Sequence, residues 1–230
     1  EFKTSINAIL DEMGDDGSLE TLINSYFDGT ATFTYENKSS SPQTGDLVVA
    51  TNAYFPPFEY FEGNKFKGVD IEIASKIATK LGKTLFVKDM DFEAIIPSVA
   101  SGESDIGMAG LTVNDERLKT VDFSLGYYSS YQVITVREST TLFDECKNAE
   151  DVENILKAQT SKYKIGTQNG TTGYMYSAGD SGFGYDGFKN LTTKGYTTGA
   201  LAMKDLSNGK IDAVILDKQP SLMIAATLNK

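Results

Sequence analysis

The chain has 230 residues, 40% of them hydrophobic, with a formal net charge of -11 at pH 7, no histidine and one cysteine. No apolar run approaches the roughly 20 residues that a bilayer-spanning helix needs, and the acidic balance argues against a nucleic-acid partner, which is gripped through lysine and arginine. The usual general base and the commonest zinc ligand are missing, and Cys146 alone forms neither an intrachain disulfide nor a CxxC pair, so triad hydrolysis and zinc chemistry drop out and neither cofactor nor metal is expected.

A chain of this length buries an ample core in one or two domains. It opens on "EFKTSINAILDEMGDDGSLETLINSYFDG". Ile6, Ile9, Leu10 and Met13 fall on one helical stripe, Gly14 follows, and Ser18 reads as the cap of a second helix bearing Leu19, Leu22, Ile23, Tyr26 and Phe27. Residues 1–28 are therefore expected to form a helical hairpin. The Ser/Pro/Gly-rich "ENKSSSPQTGD" then reads as a linker, over 29–45.

From residue 46 the pattern changes to alternating strands and helices. "LVVATNAYFPPFEY" is an apolar strand ending in a polar loop. "GVDIEIASKIATKLG" places Ile73, Ala74, Ile77, Ala78 and Leu81 on one stripe and stops at Gly82. "TLFVKDM" is the next strand, and "AIIPSVASGESDIGMAGLT" is a helix, a glycine able to end it left-handed, an aspartate and a buried strand. "AGLTVNDERLKTVDFS" carries Arg117, one of only two arginines beside Arg137. A rigid five-donor fork is wanted where a carboxylate or phosphate must be held at two points, so this stretch points to an anion site.

"YQVITV" is a plausible strand crossing to a second domain. Cys146 sits among acids that look like a solvated helix face, which suits a structural thiol better than a nucleophile. "YKIGTQNGTTGY" is a strand followed by a turn that could open a helix, whose first amides attract anions. "SGFGYDG" satisfies GxGxxG through Gly182, Gly184 and Gly187, but no strand precedes it and no helix follows, so it reads as a loop. "GALAMKDLSNGKIDAVILDKQ" then repeats the earlier grammar: Gly209 and Asp212 match Gly102 and Asp105. Two βαβ lobes follow, with ligands expected outside the carboxyl ends of their strands. Those ends carry Asn52, Gly110 to Thr112, Gln168 to Thr172 and Asp217.

The stretches beginning at Ala50, Ile95, Tyr163 and Asn208 resemble, in this order, the signatures of the amino-acid-binding solute receptors of ABC importers, the bacterial extracellular solute-binding proteins of family 3. The resemblance runs from 46 to 225. It implies an α/β fold of the two-lobe periplasmic-binding-protein type (type 2, a flytrap), with lobe 1 over 46–130, a hinge strand over 131–137 and lobe 2 over 138–230. It implies a free L-amino acid bound between the lobes, its carboxylate on Arg117 with Gly110, Thr112, Thr171 and Thr172, and its ammonium on Asp217. Phe55 and Phe92 match the aromatic walls, with Tyr54 and Phe58 less clearly so. Asn52 departs from the aspartate of many relatives and Gln168 stands where others have lysine, so an uncharged ligand side chain is expected, since a buried charge would lack its counterion.

The implied partners are the free amino acid and an ABC permease in the membrane, with no nucleic acid. The expected location is extracytoplasmic, tied to the membrane by a fusion or lipid anchor outside this sequence, and the expected state is a monomer, with a swapped dimer as the alternative. No enzymatic activity is implied. Two other readings stay open: a cyclohexadienyl-dehydratase-like enzyme using Glu59 or Asp217 as general acid, and the ligand-sensing domain of a receptor. The hairpin resembles the pair that normally closes such receptors at the carboxyl end. Here it comes first, which reads as a circular permutation or a cut from a tandem array, with the hairpin packing on lobe 1.

Overall fold

A computed structural model of the protein describes residues 1–229, which form two α/β units that divide between Ser129 and Ser130. In the first, α1 (Phe2–Asp15) and α2 (Ser18–Phe27) precede β1 (Leu47–Thr51), a meander of β2 (Tyr54–Phe55), β3 (Glu59–Glu62) and β4 (Lys65–Lys67), and then α3 (Val69–Lys80), β5 (Leu85–Asp89), α4 (Phe92–Ala100), β6 (Ile106–Gly107) and α5 (Asp115–Leu118). β5, β1 and β6 form a parallel sheet in that order, and β2, β3 and β4 an antiparallel one. β1 is buried almost throughout because parallel strands are covered on both faces, which is why "LVVAT" is an apolar run rather than an alternation.

The stripes of α1 and α2 are buried as their spacing dictates, at Ile6, Ile9, Leu10 and Met13 and at Leu22, Ile23 and Tyr26. They share one apolar cluster with Leu47, Val49, Ile73 and Ile77 of the first unit. Tyr26 donates to Glu72 at 2.9 Å and Lys80 pairs with Glu12 at 2.6 Å. The reversal comes at Gly17, in the left-handed region at φ 74°, not at Gly14, which α1 includes. Ser18 is accordingly the first residue of α2 rather than its cap, and its backbone N–H donates to Asp16 Oδ1 at 2.8 Å. The following segment has neither helix nor long strand, yet it is pinned. Tyr35 and Phe66 exchange backbone hydrogen bonds at 2.7 and 2.8 Å, and the Asn37 side chain pairs with both backbone groups of Val87 at 2.8 Å.

The second unit runs β7 (Gln132–Val136), α6 (Ala149–Lys157), β8 (Lys164–Gln168), α7 (Thr172–Ala178), β9 (Thr192–Tyr196), α8 (Gly199–Ser207), β10 (Ala213–Asp217) and α9 (Lys218–Leu228). Its sheet has the order β7-β10-β8-β9, with β7 antiparallel and the rest parallel. The "SGFGYDG" segment forms a loop closed by a bridge between Asp180 and Tyr185. Arg137 serves this unit's frame, donating to the carbonyls of Leu206 and Ile211 at 3.0 and 2.6 Å.

The repeat has a physical cause. Gly102 and Gly209 end α4 and α8 at φ 76° and 70°. Three residues later, Asp105 Oδ2 accepts from Val48 N and Asp212 Oδ2 from Lys164 N, each at 2.8 Å, while each aspartate's own N–H donates to the same residue's carbonyl at 2.9 Å. The glycine turns the chain back and the aspartate aligns the returning strand on its neighbour, β1 in the first unit and β8 in the second. Among the described residues, no helix is long and apolar enough to cross a membrane.

Candidate functional site

In the first unit the sequence-predicted residues stand beyond the carboxyl ends of β5, β1 and β6, where an open parallel sheet leaves backbone and side chains facing outward. Arg117 is only 8% exposed. Its backbone N–H donates to Asn114 Oδ1 at 2.7 Å, which caps the short α5, and Nη1 donates to the Thr112 carbonyl at 2.6 Å. The guanidinium lies 5.8 Å from the centre of the Phe92 ring. Cap, carbonyl and ring together fix the direction of the fork. Thr112 itself is exposed.

Phe55 is buried and stacks on Phe58 at 6.1 Å, and Gly110, at φ 57°, lies so close that a Cβ there would stand 3.4 Å from the Phe55 ring. Phe58 belongs to the core at 3% exposure, whereas Tyr54 stands on the surface at 47%. Asn52 is buried, and its Nδ2 donates to the Met90 carbonyl at 2.8 Å.

Beneath this loop lies a carboxyl pair. Gly68 at φ 131° allows α3 to start against β3, where a Cβ would be 2.1 Å from the Phe58 carbonyl oxygen. That approach buries Asp70 completely beside Glu59, itself 1% exposed. Asp70 Oδ2 accepts from Gly110 N at 3.0 Å, Oδ1 accepts from Tyr127 Oη at 2.7 Å, and the Glu59 side chain also hydrogen-bonds it. Burial raises the Asp70 carboxyl above its ordinary range against these bonds, and burial together with Asp70 raises the Tyr127 hydroxyl. Glu59 thus stands in a structural network, braced under Gly110.

In the second unit Gln168 ends β8, with its Nε2 on the Thr197 carbonyl at 3.2 Å. Thr171 caps α7, its Oγ1 donating to the Gln168 carbonyl at 2.7 Å and accepting from Tyr174 N at 3.4 Å, and Thr172 opens the helix. Asp217 ends β10 at the N-cap of α9, yet its side chain makes no capping bond. It accepts instead from Ser130 Oγ at 2.5 Å and from Gln132 Nε2 at 2.9 Å.

Each unit therefore gathers its own predicted residues: Arg117, Gly110, Thr112, Phe55, Phe92 and Asn52 in the first, and Gln168, Thr171, Thr172 and Asp217 in the second. Sequence reasoning missed Asp70, Tyr127, Ser130 and Gln132. The signal available for Asp70 was an acid in the first turn of α3, which Glu72 shares; for the others there was none. Among the described residues, no group of three or more His, Cys, Asp or Glu side chains is arranged to hold a metal ion.

The family model of bacterial extracellular solute-binding proteins, family 3, matches residues 47–219. The chain is 36% identical over 104 residues to the arginine-binding extracellular protein ArtP of Bacillus subtilis, covering 45% of this chain and 41% of that protein. It is 30% identical over 169 residues to a putative ABC transporter arginine-binding protein 2 of Escherichia coli, covering 73% and 61%. Among solved structures, an ancestral arginine-binding protein bound to glutamine superposes with a TM-score of 0.65 at 34% identity, over 81% of this chain and 75% of that one. The chain spans less than two thirds of the length of these curated relatives, which are named as binding proteins and not as enzymes. The fold is the two-lobe periplasmic-binding-protein type.

Proposed function

Because the chain belongs to the bacterial extracellular solute-binding proteins of family 3, we propose that it binds a free L-amino acid outside the cytoplasmic membrane and delivers it to an ABC importer. Arg117 and the Gly110 to Thr112 loop take the α-carboxylate, with Thr171 and Thr172, and Asp217 takes the α-ammonium. The observation that carries this reading is the pair of opposite, firmly oriented charges: a nearly buried guanidinium held by the Thr112 carbonyl, and a carboxylate held by Ser130 and Gln132. A zwitterion leaving water needs one partner for each of its charges, and it is the small solute that has both.

Phe55 and Phe92 supply apolar walls for the ligand's carbon stem. The ligand's side chain is uncharged in this proposal, since Asn52 and Gln168 are both buried and neutral. The relatives named for arginine make cationic amino acids the competing outcome. A thermal-shift panel of the common amino acids tests both parts. Stabilisation by uncharged amino acids supports the whole reading, stabilisation by arginine, lysine or histidine alone overturns the selectivity, and a panel without any shift overturns the function.

A further inference from the structure

Asp217 is aimed by its neighbours rather than by its own helix. An aspartate at an N-cap ordinarily accepts a backbone N–H of the first turn, and this one does not. Gln132 is directly opposite it in the antiparallel pair of β7 and β10, so both side chains rise from the same face of the sheet. The Gln132 amide must turn its NH2 end to the carboxylate, because two acceptors face to face would repel. Its other end is left with a cost: Oε1 is shut away from solvent and has no hydrogen-bond partner among the described residues. A buried orphan acceptor is tolerated where something else is gained.

A second observation falls on the same side chain. Gly173 lies in the first turn of α7 with an ordinary helical φ, a position where alanine is the better helix former. Its backbone does not call for glycine; the space does. A Cβ at Gly173 would stand 2.8 Å from Gln132 Oε1 and 2.9 Å from the Ile215 carbonyl oxygen. A larger residue crowds both the Gln132 amide, which is free to turn away from Asp217, and the fixed carbonyl of Ile215.

We propose that Gln132, with Ser130, is the positioning residue for the amine end of the ligand, fixing the plane in which Asp217 presents its oxygens, and that Gly173 is glycine to leave Gln132 its room. This rests on the proposed amino-acid binding. Ser130 holds one carboxylate oxygen and Gln132 the other, so the carboxylate cannot rotate away when a ligand ammonium arrives, and little ordering remains to be done at that moment.

The test compares ligands with and without the α-amine. Calorimetry is run with L-glutamine against 4-carbamoylbutanoic acid, and L-arginine against 5-guanidinopentanoic acid, on wild type, Gln132→Ala, Ser130→Ala, Gly173→Ala and the Gln132→Ala/Gly173→Ala double variant. Gln132→Ala should weaken the amino acid by about tenfold, the scale of one hydrogen bond to a charged group, while leaving the amine-free analogue unchanged. Gly173→Ala should do the same, and the double variant should be no worse than either single one. Gln132→Glu gives a pH signature: the carboxyl pair shares a proton in acid, and a bound ammonium favours loss of that proton, so binding should strengthen as pH rises through the pair's titration. Loss of both ligands alike, an unchanged ratio between them, additive Gln132 and Gly173 effects, or a Gln132→Glu profile parallel to wild type overturns the positioning role. A wild type that binds neither amino acid, or binds each no better than its amine-free analogue, overturns the amine site and this inference with it.

Discussion

Replacing Arg117 by alanine removes the group that the proposed function asks most of. The side chain is only 8% exposed, holds the Thr112 carbonyl at 2.6 Å and lies over the Phe92 ring. A ligand carboxylate brought to that place would lose its fork and find no water in exchange, a loss of about 2 to 5 kcal/mol for a truncated buried charge pair. That is roughly 30-fold to 5,000-fold in affinity. The unliganded protein loses less, because Thr112 is exposed and its carbonyl can turn to water when the guanidinium is gone. The two effects are separated by calorimetry with the amino acid that stabilises wild type and by urea unfolding without it. Arg117→Lys should recover only part of the affinity, because an ammonium restores the charge and not two parallel bonds. An Arg117→Ala protein binding within about threefold of wild type would refute the carboxylate assignment.

Asn52→Asp adds a carboxylate at a buried position and should bring lysine, arginine and ornithine into the thermal-shift panel; an unchanged panel would mean that Asn52 is a structural residue, as its bond to the Met90 carbonyl suits. The Asp70 carboxyl, raised by burial beside Glu59, keeps in the folded state a proton that the unfolded chain releases above its ordinary pKa of about 3.9. Its contribution to stability is thus complete below that pH and lost as pH rises through the folded value. Asp70→Asn removes the titrating group and should flatten this decline in urea midpoints between acid and neutral pH, and equal slopes in both proteins would show that Asp70 does not titrate in this way. Deleting residues 1–28 uncovers the partners of Ile9, Leu10, Ile23 and Tyr26 in the first unit's core and should leave aggregating protein; a soluble deletion protein with intact ligand affinity would show that the hairpin is dispensable there.

What could be read in the sequence was whatever rests on local periodicity and on rare residue types. The stripe of α3 and the apolar run of β1 follow from burial on one face or on two, and the Gly102 and Asp105 grammar recurs at Gly209 and Asp212 because one turn geometry and one backbone bond recur. The scarcity of arginine singled out Arg117, and the absence of histidine removed whole classes of chemistry before any fold was known. Helix ends were less legible, since a turn needs one left-handed residue and both Gly14 and Gly17 could supply it; the structure uses Gly17.

The tertiary structure decided which polar side chains point where. Asp70 looked like one more acid at the start of a helix until the glycine contact at position 68 brought it against β3 and under Gly110. Asp217 stands where a strand passes into a helix, and only the structure shows that its side chain turns from the helix to Ser130 and Gln132, residues 87 and 85 positions away in the chain. Phe55, Phe58 and Tyr54 are indistinguishable by propensity, yet one lies against Gly110, one is in the core and one on the surface. The physical reason is common to all three cases: sequence spacing fixes which residues share an element's face, whereas hydrogen bonds and contacts across long stretches of chain depend on where elements meet, and that is set by the packing of the whole unit.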